Sequence, residues 1–525
     1  PVHVPSKESV TQTPTQQIET KTPLSTQNLQ KEKIEEQAPE KIITQETDLY
    51  QLEFSDLTGT LKKIVLKKYK DHTGKNIEIT PQRKKQAPLF YQLESMVLPR
   101  GNFYENADGS LSYIQENENV KIEKQFIFSK DNYHLTLKTK VLNKTSNKLS
   151  LKGSLVWEGS VGPFPEKREQ TSYDETVETS FFDRNKNAEV KISDESVIKN
   201  QEIDWIGMDG RYFFIAFIPE TPKQYSFSIQ NEKAIYDEKI ELYEELSLAG
   251  SQEIEKNYIV YMGPKDERIL KTYQRNLEAI TERGWPVIGP LIVLLGKGIK
   301  FLLFWINSFV GNFGITILIL SLLFKVVLNP LTTKSMDSAK KMQTLQPQIE
   351  ALKKKYTDPK EMNAKVWELY RKEKVNPMGG CLPMLLQMPF FFALYQVLPY
   401  VVELKNVNFL WIKDLSSPDT VTFIEIFKNV PLLPYRLNIL PILLTIFSFI
   451  QTKVSQGGTP AAGQAKIMGY MMPLMFLFIF WNMPSGLVLY WLCKLFLLLC
   501  SSGLKTKGLL KKMTPKTQKN NCIKN

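Results

Sequence analysis

Histidine is nearly missing from this chain of 525 residues, and the three present, His3, His72 and His134, all precede residue 135. Everything downstream therefore lacks imidazole, which excludes histidine-assisted nucleophiles and the commonest metal ligand from that part. Cysteine is equally sparse. Cys381, Cys493, Cys500 and Cys522 all lie beyond residue 380, so no disulfide framework can hold the first two thirds together. Phosphate-binding loops, HExxH and paired carboxylates inside apolar runs are also absent. Five long apolar stretches crowd the last 240 residues, and none contains Asp or Glu. These absences point away from an enzyme and leave no expectation of a metal, a cofactor or a small-molecule substrate. The first 45 residues hold neither a signal sequence nor a span.

The charge present is divided unevenly. Residues 1–285 carry 39 basic and 45 acidic side chains, whereas residues 286–525 carry 28 and 10, so a net of +12 conceals an acidic half and a strongly basic one. The basic half is also the apolar half. Anionic headgroups, ribosomal RNA or acidic protein segments are its expected neighbours.

Residues 1–46, rich in Thr, Gln, Lys, Glu and Pro, bury too little to offset ordering entropy and read as a disordered tether. From 47 to 265 short runs alternate with period two, as in Tyr50, Leu52, Phe54 and Tyr133, Leu135, Leu137, and no long amphipathic helix intervenes. That pattern predicts a large antiparallel β sandwich. Residues 266–312 read as a linker helix followed by an apolar segment carrying Lys297, Lys300 and two tryptophans. Pro286, Pro290, Gly296 and Gly298 break its apolar character, so it is expected to lie along the membrane interface, with a sixth span as the other reading.

Five spans are expected, at 313–331, 381–402, 437–452, 467–482 and 485–501. Between the first two, residues 332–378 form a polar helical hairpin. Met342, Leu345, Ile349, Leu352 and Tyr356 on one arm face Met362, Val366 and Leu369 on the other, with Thr357, Asp358 and Pro359 at the turn and Pro347 expected to kink or restart the first arm. Its exposed lysines, Lys340, Lys341, Lys353, Lys354, Lys355 and Lys372, make it a docking platform or simply a solvated loop.

Charge orients the spans. The hairpin, the 451–466 loop and the 502–525 tail, which holds seven lysines, are the basic connections and belong in the cytoplasm. The 403–436 loop balances four basic against four acidic residues and faces outward with the β domain. An external domain ahead of these spans needs an export signal upstream of Pro1.

Lys325 is the one cation of the first span, one helical turn after Ser321 on the same face. An ammonium at a helix centre costs roughly 2.5–3.5 kcal/mol on insertion scales. Either Lys325 snorkels along its stem toward the headgroups, or it lines a wet cleft with Gln387, Thr445, Ser448, Tyr490 and Lys494; the other reading of Gln387, Thr445 and Ser448 is that they simply bond neighbouring helices. Lys494, near the cytoplasmic end of the last span, is expected to snorkel. The Pro484–Ser485–Gly486 turn reads as a tight hairpin rather than a nucleophile, since no histidine accompanies it.

Several ordered motifs carry a resemblance. FVGNFGITILILSLLFKVVLNPL at 309–331, LQPQI at 345–349, EKVNPMGGCLPMLLQMPFFFALY at 373–395 and PSGLVLYW at 484–491 resemble the YidC membrane protein insertases of the Oxa superfamily. DWIGMDGRYFFIAFIPE at 204–220 and YMGPK at 261–265 resemble the large periplasmic domain of the Gram-negative type. The resemblance implies a polytopic α-helical membrane protein, a five-helix insertase core with an N-terminal all-β sandwich domain outside the membrane. It implies a bacterial inner-membrane location with that domain in the periplasm, and a hydrophilic groove open to cytosol and lipid. Lys325 stands where the family normally has arginine, which keeps the charge and loses the planar fork. Ser321, Gln387, Phe391, Tyr490 and Trp491 match positions that line the groove or meet substrate. Nascent membrane proteins, ribosomes, targeting factors, the Sec translocon and the lipid bilayer are the implied partners. Lys494 and the apolar run after it depart from the more polar family pattern. A transporter for an anionic solute is the alternative, and it would favour internal repeats, of which none is visible. An intramembrane serine protease ranks third.

Overall fold

The structure, a computed structural model, describes residues 39–71, 74–80, 88–94, 96, 98–162, 177–192, 196–221, 224–231, 238–281, 289–373, 375, 382–424, 436–455 and 464–513. The tether at 1–38, the start of the interfacial segment at 282–288, the 376–381 part of the glycine-bearing motif, the 456–463 loop and the tail beyond 513 lie outside the described residues.

Strands dominate the first half, and they form a β sandwich. Ile42–Glu46, Tyr50–Ser55, Thr60–Lys70 and Asn76–Glu78 pair antiparallel in chain order. A larger antiparallel array follows, and one long strand, Ser196–Asp209, joins its two parts. The first half of that strand pairs with Gln224–Asn231, and its second half lies between Glu178–Asp183 and Phe213–Pro219. The register shifts between Ile198 and Gln201, where Asn200 takes φ +53°. A bulge of this kind re-aims a strand from one sheet to another. Burial follows the same division, alternating before the shift and continuous after it. The run FFIAFIP at Phe213–Pro219 is buried at every position. A strand covered on both faces needs an unbroken apolar run rather than alternation, which accounts for the composition of the DWIGMDGRYFFIAFIPE motif.

Eight helices follow among the described residues. They are α1 (Glu267–Lys271), α2 (Gly289–Val310), α3 (Phe313–Lys355), α4 (Pro359–Lys372), α5 (Leu382–Val397), α6 (Ile439–Ser455), α7 (Gln464–Trp481) and α8 (Ser485–Met513). By length and composition α2 and the Phe313–Pro330 part of α3 could each cross a membrane. The prolines and glycines of α2 do not interrupt it. Pro290 sits in the first turn, where its missing N–H has no intrahelical partner to lose.

One expectation about α3 is corrected. Pro347 does not restart the helix, because α3 runs unbroken through Pro330 and Pro347 into the first arm of the hairpin. Asp358 then caps α4, with Pro359 at its first position. Leu345 and Ile349 are buried against Val366, Leu369 and Tyr370, so the apolar stripes do meet. A second core, separate from that of the sandwich, joins Ile292 and Leu303 of α2, Ile317 and Leu320 of α3, Leu394 of α5, Leu440 and Leu444 of α6 and Leu487 of α8.

Candidate functional site

The site lies where α3 and α8 run side by side. Ser321 is fully buried, and its hydroxyl donates to the Leu318 carbonyl at 2.7 Å and to Cys493 Sγ at 2.8 Å. One turn further on, Lys325 Nζ donates to the Leu497 carbonyl. Both contacts join residues 172 apart in sequence. A constant offset over a turn means that the two helices are parallel and in register, so the polar face of α3 meets α8 level by level. Lys325 is half-buried, while Leu322, Leu323, Val326 and Val327 on the rest of that turn are exposed. The helix thus turns an apolar surface outward and its hydroxyl and ammonium inward.

Aromatic rings build the adjoining wall. Phe391 of α5 lies 5.5 Å from Trp491 and 5.9 Å from Phe480 of α7, and Trp491 lies 5.8 Å from Phe480. Phe324 ties α3 to this wall through Phe390 at 5.4 Å and Tyr490 at 6.2 Å. Gln387 is buried beside the Tyr490 hydroxyl, and its Nε2 makes no hydrogen bond of good geometry. Ser321, Lys325, Gln387, Phe391, Tyr490 and Trp491 therefore occupy one region between α3, α5 and α8. Thr445 and Ser448 sit on α6. The Thr445 hydroxyl returns to the Pro441 carbonyl at 2.8 Å, and Ser448 Oγ is buried without a hydrogen bond.

Lys494 corrects an expectation. Its ammonium does not reach toward the tail. It lies 4.9 Å over the Trp491 ring, back toward the start of α8, the direction in which helical side chains lean, and it is close enough to Lys325 for the two charges to repel. Lys494 therefore belongs to the site, and so does Cys493, which the sequence reading left outside it. Its position three residues from Tyr490 was the available signal.

A clamp joins the helices to the β domain. Ser485 is buried and donates its hydroxyl to the Asp414 carbonyl at 2.6 Å, while the Ser485 and Gly486 N–H groups donate to Ser417 and Leu415. A Cβ on Gly486 would stand 2.9 Å from the Leu415 carbonyl oxygen, so only glycine permits this approach. The turn is thus a seat for the 414–417 loop. From the other side, Arg211 Nε donates to the Pro399 carbonyl at 3.0 Å, and its Nη2 donates to the Ser416 carbonyl. The Tyr212 hydroxyl meets Ser416 Oγ at 2.7 Å. Arg211 and Tyr212 form the tip of the hairpin within the DWIGMDGRYFFIAFIPE motif. Lys265, from YMGPK, pairs with Asp209 at 2.6 Å, with both side chains almost fully buried, and stands 5.4 Å over the Tyr400 ring. The two β-domain motifs therefore converge on the loop that seats α8.

On the hairpin, Lys341, Lys354, Lys355 and Lys372 are exposed. Lys340 and Lys353 lie on α3, and their side chains fall outside the described residues. Among the described residues, no group of three His, Cys, Asp or Glu side chains is placed to hold a metal ion.

Residues 42–294 match the family described as YidC periplasmic domain, and residues 305–507 match the family described as 60Kd inner membrane protein. The chain is 32% identical over 477 residues to the membrane protein insertase YidC of Pelobacter propionicus, covering 87% of this chain and 84% of that one. It is 33% identical to the membrane protein insertase YidC of Citrifermentans bemidjiense, over 86% of this chain and 83% of the other. A solved structure described as an active YidC insertase with its first transmembrane domain resolved matches at 20% identity, covering 89% of this chain and 93% of that one with a TM-score of 0.37.

Proposed function

Since this chain belongs to the YidC family of membrane protein insertases, we propose that it inserts nascent membrane proteins through a groove between α3, α5 and α8 whose cation is Lys325. The observation that carries this reading is the inward-facing pair of Ser321 and Lys325 in a span whose remaining surface is apolar. A client helix with an acidic outer flank meets positive charge in a low-dielectric cleft, which eases the dehydration of its carboxylates. Its apolar body then leaves sideways between exposed apolar side chains. Burial of about 20 apolar residues in lipid supplies the driving free energy, and the step needs no bond-making chemistry.

The core of this reading is the five-helix set of the Phe313–Pro330 part of α3 with α5, α6, α7 and α8. The β domain and the 403–436 loop face the periplasm, and the hairpin and tail face the cytoplasm, across the bacterial inner membrane. α2 lies along the outer interface. Supporting that placement, Lys297 in the middle of α2 stands 3.8 Å from Glu267 of α1, at the end of the β domain, and Arg268 stands over the Phe304 ring. A helix whose midpoint touches the extramembrane domain is poorly placed to have that midpoint at the bilayer centre.

The first test is insertion of a single-span client with an acidic outer flank into liposomes containing this chain, scored by protease protection. Lys325→Ala is expected to lower protection roughly tenfold, the equivalent of one desolvated charge contact. Full insertion by the variant would remove the charge from the mechanism.

The hairpin lysines receive ribosomes and targeting factors, and the insertase works alone or beside the Sec translocon. Electrostatic docking weakens as the Debye length falls from about 10 Å at 0.1 M salt to about 3 Å at 1 M. Ribosome affinity measured over that range is expected to drop. A flat salt response would disprove electrostatic docking on Lys341, Lys354, Lys355 and Lys372.

A further inference from the structure

Two cations share the groove. The register that joins Lys325 to Leu497 and Ser321 to Cys493 places Lys325 three residues below the level of Lys494, about 4.5 Å along the helix axis. Both ammonium groups lie on the α3–α8 seam, one at the Leu497 carbonyl and the other over the Trp491 ring, within repelling distance. No Asp or Glu occurs in Phe313–Pro330, α5, α6, α7 or α8. The sequence therefore supplies this part of the membrane with positive charge only, and like charges held together in a low dielectric favour an anionic partner.

We propose that Lys325 and Lys494 form one dicationic site that takes two carboxylates of a client's outer flank, with Lys494 selecting clients whose acidic residues lie two helical turns apart. The two ammonium groups themselves lie at the levels of Leu497 and Trp491, six residues or about 9 Å apart along α8, which matches carboxylates on one face of a client helix two turns apart, at i and i+7. The Trp491 ring beneath Lys494 holds that ammonium in the groove and away from the cytoplasmic tail. This inference rests on the insertase reading and refines it, from attraction of negative charge in general to recognition of its spacing. A lipid phosphate is the competing anion. The staggered alignment of the lysines along a parallel helix pair favours the peptide, because an entering client helix runs along the same axis.

The experiment uses the full chain in liposomes and three clients that are identical except for their outer flanks, with no acid, one Asp, or two Asp at i and i+7. For the wild type, insertion of the two-acid client should exceed that of the one-acid client about three- to tenfold. Lys494→Met should collapse that ratio to near one, and Lys494→Arg should restore it. Equal loss for every client in Lys494→Met, without rescue by Arg, would assign Lys494 to packing and overturn the proposal. So would a wild-type ratio of one. Each series is repeated in neutral phosphatidylcholine and with anionic lipid added. A Lys494 effect that depends on the lipid and ignores the client's charge would give the site to a headgroup instead. Failure of the wild type to insert any client would count against the insertase reading itself, which separates that failure from loss of the ratio alone.

Discussion

Lys265→Met will loosen the junction of the β domain and the helices by about 3–5 kcal/mol, the usual cost of removing one partner from a buried ion pair. Asp209 and Lys265 are 1% and 5% exposed, and their charged atoms are 2.6 Å apart. Without the ammonium, the buried Asp209 carboxyl loses its Lys265 partner at the end of the Ser196–Asp209 strand, under the hairpin tip that carries Arg211 and Tyr212. The damage should therefore spread along a defined route. It passes from the hairpin to the Pro399 and Ser416 carbonyls, then from the 414–417 loop to Ser485 and Gly486. Hydrogen exchange on the full chain in detergent should show amides of 204–220, 398–417 and 485–490 exchanging at least about 100-fold faster, as the lost free energy requires. The double variant Asp209→Leu with Lys265→Met should recover most of that protection, because replacing both charges by apolar groups is often neutral. Equal exchange in the single and double variants would show that the pair does not hold the clamp. Acceleration confined to 204–220 would show that the clamp does not transmit to α8.

What could be read in advance here, and what could not, divides by the distance between partners along the chain. LSLKGSLVWEG becomes the strand Leu149–Glu158, and Leu135 and Leu137 lie on the buried face of His134–Asn143. Period two reports a local geometry, so it is visible without partners. The shared face of Ser321 and Lys325 is local in the same sense. Their partners Cys493 and Leu497, 172 residues away, are not. The clamp is less legible still, since Arg211 and Ser416 are 205 residues apart and neither residue type announces the other. Pro347 misled for a different reason. It forfeits a backbone hydrogen bond, a cost of about 3 kcal/mol that ordinarily kinks or ends a helix, yet α3 continues through it. The buried faces of Leu345 and Ile349 against the second arm offset part of that cost. Lys494 misled because residue type and depth suggested snorkelling, whereas the nearby Trp491 ring offered a partner in the opposite direction.

Inside the sandwich, Lys124 sets a second large effect. Its side chain is 1% exposed, and its ammonium donates to the Gly59 and Thr58 carbonyls at 2.7 and 3.1 Å and stands 5.0 Å from the Tyr113 ring centre. Burial lowers its pKa from 10.5 to about 7. The folded-state value lies below the unfolded one, so between about pH 7 and 10.5 the unfolded chain binds a proton that the folded chain does not. Stability must then rise with pH across that window. Below about pH 7 the full penalty of the buried charge is present, and by pH 10.5 it has gone, a change on the order of 4–5 kcal/mol. Lys124→Met removes this slope. It also leaves the Thr58 and Gly59 carbonyls without their donor, which lowers the overall level, so the slope and not the level is the readout. Urea unfolding of both proteins in detergent, followed by the fluorescence of the fully buried Trp157 and Trp205, should give curves that separate toward high pH, with the wild type gaining and the variant lagging. Parallel pH profiles would mean that Lys124 is solvated or paired in the folded state. The Gly59 turn, which is packed so closely on Tyr113 that a Cβ would fall 2.1 Å from its ring, would then need another explanation for the lysine beneath it.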